Sequence, residues 1–340
     1  MALAFVLAAA AMAYLANERV ERAARRSEAI ELSKHGSPSK ALEALGAFLE
    51  VEPTDPELLE AIVLANHRAG KPHEEIEPFS RKWFECDPHR IASAEAHLRT
   101  LQALNRPAAE VIPVLERCLA LDPRASVRHE ELASLYYIVG RYEDAIREAR
   151  TLLQMPNSDQ VQVRIAIAQA EFARGNNSAA IAELDLVRQT EAERPEALLL
   201  RARVHQKLGE DHLAVPILQN LQPRDHAERI LVLNLLGQSL VRLGRPDQAQ
   251  AAFDQLSRLQ EAIHHMGDAK QKPGDWAYQR RAAEALLKAG LPRDAATLLS
   301  DALLRIGFDR AGLHLLAECH DRLGEPQRAR DARADADRPR

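Results

Sequence analysis

The sequence predicts an all-α protein built from repeated helix pairs, and three observations support this prediction. The 340 residues are rich in Ala, Leu, Arg, Glu and Gln, which favour helices, and only 4% are aromatic. Runs of β-branched residues with a period of two, which would indicate strands, are scarce. Glycine recurs at intervals near 34 residues along most of the chain. Together these features indicate an array of short helices.

The recurring glycines mark candidate turns between helices, with successive spacings of 34, 70, 35, 34, 35, 46 and 34 residues. The spacing of 70 is two periods with Arg106 at the missing turn, and the spacing of 46 is one period plus an insertion near 261–275. The turn glycines are Gly36, Gly70, Gly140, Gly175, Gly209, Gly244, Gly290 and Gly324. The residues five positions after the nine turns are Ala41, Glu75, Val111, Ala145, Ala180, Ala214, Ala249, Ala295 and Ala329.

Each position of this pattern has a physical reason. Glycine permits the left-handed backbone conformation where the first helix of a pair ends. Alanine lets the second helix approach the first closely, and a single pair cannot bury its apolar face, so the pairs must stack. The predicted turn and packing residues are Gly140 with Ala145, Gly175 with Ala180, Gly209 with Ala214, Gly244 with Ala249, and Gly290 with Ala295.

The pattern resembles the tetratricopeptide repeat family. Segment 230–256 has the spacing of that family at Leu233, Leu236, Gly237, Leu240, Gly244, Ala249, Phe253 and Leu256. Segment 126–157 has it at Leu132, Ala133, Tyr136, Gly140, Tyr142 and Ala145. The resemblance implies a right-handed α-solenoid of about nine helix pairs over residues 22–335. The organisation is also similar to that of membrane-anchored bacterial repeat scaffolds.

Two units depart from the pattern. Unit 56–89 has Glu75 at the packing position and Pro78 inside its second helix, and unit 92–125 has Arg106 at the turn and Pro113 inside its second helix. We expect both to be looser or bent, because proline removes a helical hydrogen bond. The insertion at 261–275 is expected to extend one helix before a loop, and residues 336–340 form a charged tail.

Residues 2–16 contain no charged side chain and begin an apolar helix predicted for residues 1–21. A membrane anchor, a cleaved signal peptide and a buried helix are the three interpretations. The run is shorter than the usual membrane span of about 20 residues. The basic residues that follow it favour an anchor with the repeats in the cytoplasm. The alternative of export predicts a periplasmic or secreted protein.

Several classes of chemistry lack a motif in this sequence. No glycine-rich phosphate-binding loop and no His-Glu-x-x-His motif occurs, and no carboxylate pair marks acid–base catalysis. The net charge of −5 gives no basic surface for nucleic acid. The three cysteines are scattered, so neither a disulfide framework nor a zinc site is expected. We therefore predict no catalytic residue, cofactor, metal or nucleic-acid partner.

The resemblance implies that the first helix of each pair lines a concave groove where a protein or peptide binds. Carrying the groove positions of the family over to the middle of this chain gives Tyr137, Gln169, Phe172, Arg203, Gln206, Asn234 and Gln238. The alternative is that Tyr137 and Phe172 cover the core of their own units. The expected function is a non-catalytic, membrane-tethered scaffold. The alternatives are an exported repeat protein in an envelope assembly and, less favoured, an enzyme or enzyme subunit.

Overall fold

A computed structural model describes the backbone of residues 2–156, 158–190 and 194–338; the side chains of 2–11, 13 and 190 lie outside that description. Within those residues the chain forms eighteen α-helices and no strand, so the predicted all-α fold of about nine helix pairs is confirmed. The helices are α1 (Ala2–His35), α2 (Pro38–Val51), α3 (Pro56–Arg68), α4 (His73–Cys86), α5 (Ile91–Ala103), α6 (Ala108–Leu121), α7 (Ser126–Ile138), α8 (Tyr142–Leu153), α9 (Gln160–Ala173), α10 (Asn177–Thr190), α11 (Pro195–Lys207), α12 (Asp211–Asn220), α13 (His226–Arg242), α14 (Pro246–Gln271), α15 (Trp276–Lys288), α16 (Pro292–Ile306), α17 (Arg310–Arg322) and α18 (Pro326–Asp337).

The helices group into two compact units, Met1–Arg174 and Gly175–Arg340. The core of the first unit includes Leu45, Leu98 and Leu115, all fully buried between consecutive helices. Leu286 and Leu299 are fully buried in the second unit. Each helix therefore buries one face against its neighbours in sequence, as expected for an α-solenoid.

Most inter-helix turns use one left-handed residue and two hydrogen bonds that close the first helix. After α7, Gly140 has a φ of 79°. The amide of Gly140 donates to the Tyr137 carbonyl at 3.1 Å, and that of Arg141 donates to the Tyr136 carbonyl at 2.8 Å. Positive φ angles recur at Gly70, Gly175, Gly209, Gly244, Gly290 and Gly324. This arrangement satisfies carbonyls that the end of a helix would leave unpaired.

The turn between α5 and α6 lies one residue earlier than predicted. The left-handed residue there is Asn105, with a φ of 49°, and not the predicted Arg106. Asn105 lies 35 residues from both Gly70 and Gly140, and asparagine tolerates this conformation better than most residues. The first turn also differs from the prediction, because Gly36 is not in the left-handed region.

In the pair α3–α4, the packing residue lies one position after the predicted one. Glu75 is exposed, whereas Ile76, the next residue, is fully buried at the packing position. One extra residue separates the turn from the packing position in this pair and in the next. Helices α4 and α6 also continue through Pro78 and Pro113.

The first helix extends past the predicted apolar segment. Helix α1 runs unbroken from residue 2 to residue 35 and so crosses residues 21–22, where the repeats were predicted to start. Met12, Tyr14 and Leu15 on this helix are exposed. In the described part of the chain, no helix combines the length and apolar character needed to cross a membrane.

The insertion at 261–275 lies mostly within α14, which ends at Gln271, and Asp275 caps α15. The predicted charged tail at 336–340 begins inside α18, and residues 339–340 lie outside the described residues.

Replacing Gly140 tests the left-handed turn. No neighbouring atom would touch an added Cβ, so the expected cost of Gly140→Ala is conformational, about 1–2 kcal/mol of unfolding free energy. Gly140→Asn should cost less, because Asn105 already serves at the equivalent turn. Urea denaturation followed by circular dichroism measures both variants. Equal losses for the two substitutions would contradict this account.

Candidate partner-binding groove

A groove of about 400 Å³ lies in the first unit where α7, α8 and α9 meet. Its base is formed by small or aliphatic side chains, and its rim is polar. The base residues are Ala133, Ala145, Ala149, Leu152, Val163, Ala166 and Ala170. The rim residues are Glu130, Ser134, Tyr137, Asp159, Gln162 and Gln169. An apolar base with a polar rim suits a site that accepts one apolar side chain of a partner.

The groove lies where the second helix of the pair α7–α8 has a small residue at a position that is usually large. We define the filling position as the residue four after the packing position in the second helix of each pair. The filling residues are Leu45, Ser80, Leu115, Ala149, Leu184, Leu218, Phe253, Leu299 and Arg333. Most of these side chains are large and apolar. In α8 the filling residue is Ala149, which leaves space between α7 and α9.

In the pair α13–α14, a large side chain fills the equivalent space between the two helices where they cross. There the filling residue is Phe253, and the residue facing it on the first helix is Gly237. A Cβ at Gly237 would lie 2.5 Å from the Phe253 ring, so glycine is needed to admit the ring. The equivalent residues in α7 and α8 are Ala133 and Ala149, 104 positions earlier. Because both residues are alanine, the space between the two helices stays open and forms the groove.

The face of α7 that borders the groove carries three polar side chains at helical spacing. Glu130, Ser134 and Tyr137 lie at positions i, i+4 and i+7, which places them on one side of a helix. Across the groove, Gln169 on α9 is half-buried. Among the described residues, the Glu130 carboxylate, the Ser134 and Tyr137 hydroxyls and the Gln169 amide have no hydrogen-bond partner within the protein. They are therefore available to a bound partner.

Helix α7 is held in place from its other side. Buried His129 contacts the Glu148 carboxylate at 2.7 Å through Nδ1 and the Pro123 carbonyl at 3.1 Å through Nε2. The buried Tyr136 hydroxyl donates to Glu116, and the Arg141 guanidinium lies 4.2 Å from the Tyr136 ring centroid. Burial, followed by the bond to Glu116, raises the pKa of Tyr136 to about 12. These contacts fix the helix that presents the polar face.

The structure places Tyr137 and Gln169 together at this groove, as two of the seven residues predicted to bind a partner. The Tyr137 side chain is 41% exposed, and its ring centroid lies 5.6 Å from that of Tyr142. Phe172 is half-buried near the end of α9 and is not part of the groove lining. The predicted turn and packing residues support the groove from below, since Ala145 belongs to its base.

The other four predicted residues belong to the second unit. Arg203 is exposed on α11. The Gln206 amide donates to the Leu235 carbonyl at 2.7 Å and to the Ser239 hydroxyl at 2.6 Å, so it joins α11 to α13. Gln238 donates to the Asn234 side chain at 3.2 Å along α13. In this unit, therefore, the side chains of Gln206, Asn234 and Gln238 have hydrogen-bond partners inside the protein.

Gln206 is part of a buried network centred on Asp211. The Ser239 hydroxyl donates to Asp211 Oδ1 at 2.6 Å, and Arg242 donates to both carboxylate oxygens at 2.8 Å. Asp211 is 3% exposed. The hydrogen bond from Arg242 lowers the pKa of Asp211 below its usual value, and the Ser239 hydroxyl adds to this effect. The network joins α11, α12 and α13 through paired charges.

The sequence analysis missed the residues that create the groove, above all Ala149. Their signal was present in the repeat alignment, as an alanine at a position that is usually large. Ala166 also belongs to the lining and was not among the predicted groove residues.

The helix pairs and their left-handed turns define a repeat α-solenoid. Residues 130–191 and 234–307 match the family profile described as "Tetratricopeptide repeat". The two matched segments therefore carry tetratricopeptide repeats, and the first of them includes the groove. No curated protein matches the chain in sequence.

Solved structures with related folds share little sequence with this chain. Naa15/Naa10 bound to HypK-THB has 17% identity and a TM-score of 0.46, over 88% of this chain and 44% of that chain. The C-terminal part of a TPR repeat-containing protein from Cytophaga hutchinsonii has 16% identity and a TM-score of 0.46, over 67% and 92%. PilW, a type IV pilus biogenesis factor, has 14% identity and a TM-score of 0.43, over 59% and 91%. This chain spans less than half of the Naa15/Naa10 chain.

Acid should weaken the Asp211 network. Because the pKa of Asp211 is lowered in the folded state, its contribution to stability is present above the unfolded pKa near 4 and is lost as the pH falls through the folded pKa. At pH 7 we expect Asp211→Asn to lower the unfolding free energy by about 1–3 kcal/mol. Thermal melting at several pH values should show the gap between wild type and variant narrowing below pH 4. A gap that does not change with pH would contradict the prediction.

Proposed function

We propose that the chain is a non-catalytic scaffold that binds a protein partner through the groove between α7, α8 and α9. The observation that carries this proposal is the open space beside Ala133 and Ala149, bordered on α7 by Glu130, Ser134 and Tyr137, whose side chains make no hydrogen bond among the described residues. A filled crossing would stabilise the array better, because large residues in a core contribute by burial and packing. The open crossing therefore favours a binding role over a purely structural one.

The groove suits an extended segment that inserts one apolar side chain. The alanine-lined base accepts the side chain, and Gln169 and Ser134 can hydrogen-bond the backbone of the segment. Tyr137 supplies an exposed aromatic ring at the edge, a residue type that often dominates binding energy at interfaces. The four predicted residues in the second unit would form a secondary binding surface, which includes the exposed Arg203.

The filled space in the pair α13–α14 shows which two substitutions would fill the groove. The double substitution Ala133→Gly and Ala149→Phe copies the crossing of Gly237 and Phe253. We expect it to remove binding of peptides selected by the wild-type chain from a random-peptide phage library, with at least a tenfold loss of affinity, about 1.4 kcal/mol. Fluorescence anisotropy with a synthesised, labelled peptide measures the effect.

A matched control adds the same aromatic ring outside the groove. Ala120 is exposed on α6, so Ala120→Phe should leave peptide binding unchanged. The milder Ala149→Leu, which restores a common filling residue, should also weaken binding if the double variant melts early. Peptides that bind the groove-filled chain as tightly as the wild type would contradict the proposed function.

Membrane tethering through residues 2–16, with the repeats in the cytoplasm, is a further part of the proposal. It is supported by the uncharged run and the basic residues that follow it. We expect the tagged full chain to sediment with membranes from bacterial cells, and to resist protease added to intact spheroplasts. Digestion in intact spheroplasts, or a shortened form in the envelope fraction, would instead support the exported alternative.

A further inference from the structure

The described residues that line the groove carry charge of one sign only. Among them, Glu130 and Asp159 are the only ionisable groups besides the Tyr137 phenol, and none is Lys, Arg or His. Both carboxylates are exposed at the rim. The Asp159 carboxylate also accepts a hydrogen bond from the backbone N–H of Gln162 at 3.0 Å, and this bond caps α9. The groove is therefore an apolar slot beside two carboxylates.

Other cavities in the described part of the chain contain mixed charges. The cavity between α1 and α3 has Arg26, Lys34 and Arg90 together with acidic residues, and Arg26 pairs with both Asp55 and Glu57. The cavity beside α8 and the end of α9 has three arginines facing Glu143 and Glu171. Their charges compensate each other within the protein. Glu130 on the rim of the α7–α9 groove, in contrast, forms no ion pair among the described residues.

We infer that the partner segment carries a large aliphatic or aromatic side chain with a Lys or Arg close to it in sequence. This inference rests on the proposed function. The apolar side chain fills the space that Ala149 leaves, and the basic side chain lies beside Glu130 at the rim. Its aliphatic stem packs along the apolar wall while its charged end stays in water. An acidic side chain at the same position would bind less well, because the Glu130 carboxylate repels it.

Glu130 is the better residue for testing this charge preference. It forms no ion pair among the described residues, and it is exposed on α7, so its replacement leaves the fold intact. Asp159 caps a helix, so changing it would also affect stability. Glu131, the next residue on α7, pairs with Arg128 at 2.9 Å and is not a lining residue, which makes it a matched control.

The test uses the full chain and the random-peptide phage library. Some selected peptides should bind the wild type but not the groove-filled double variant. We expect these peptides to carry an apolar residue next to Lys or Arg. For a synthesised peptide of this kind, we expect Glu130→Gln to weaken binding about 2–5-fold, as for an exposed charge pair, and Glu130→Lys to weaken it further. Glu131→Gln should change little. High salt should reduce the difference between wild type and Glu130→Gln.

A charge swap completes the test. A peptide with its Lys changed to Glu should bind the Glu130→Lys chain better than it binds the wild type. Groove-dependent peptides without a basic residue, or affinities that do not change with the charge at position 130, would overturn this inference and leave the proposed function standing. Peptides that ignore the filled groove would overturn the proposed function itself.

Discussion

The close crossing of two helices within each pair determines most other features of this protein. A small or compact residue at the packing position brings the helices together, and a large residue four positions later normally fills the space beyond it. The left-handed turn must reverse the chain within a few residues for the crossing to form. Because each pair buries its apolar faces only against adjacent pairs, a change at one crossing stays local. The groove at Ala149 is such a change, made without disturbing the helices on either side.

Much of the fold could be predicted from the sequence because it depends on local, periodic chemistry. The identity and spacing of Gly140 and Ala145 alone are enough to predict a turn and a packing residue. The errors arose where spacing varies: one added residue after the turn moved the buried position from Glu75 to Ile76, and asparagine took the place of glycine at residue 105. A pattern searched with a fixed offset and a fixed residue type cannot detect either change.

The candidate site was only partly predictable, and the reasons are physical. Tyr137 and Gln169 were found because groove positions follow helical periodicity. Gln206 was not recognised as a structural residue because its partners, Leu235 and Ser239, are 29 and 33 residues away. Its role depends on which atoms the fold brings within hydrogen-bonding distance. The groove itself was detectable in principle, since Ala149 stands where six of the other eight filling positions hold leucine or phenylalanine, but an absent side chain is harder to notice than a motif.

The missing filling residue also affects how the first unit moves. Removing a buried leucine from a core typically costs about 2–5 kcal/mol, and α8 lacks that contribution where α2 and α6 have Leu45 and Leu115. Local opening in a repeat array occurs most readily where adjacent elements share the least buried surface. We therefore expect the amides of α7 and α8 to exchange with solvent deuterium faster than they would with a leucine at position 149. Under the proposed function, an occupant of the groove would supply the absent packing and slow that exchange, which would couple recognition to the rigidity of this part of the solenoid.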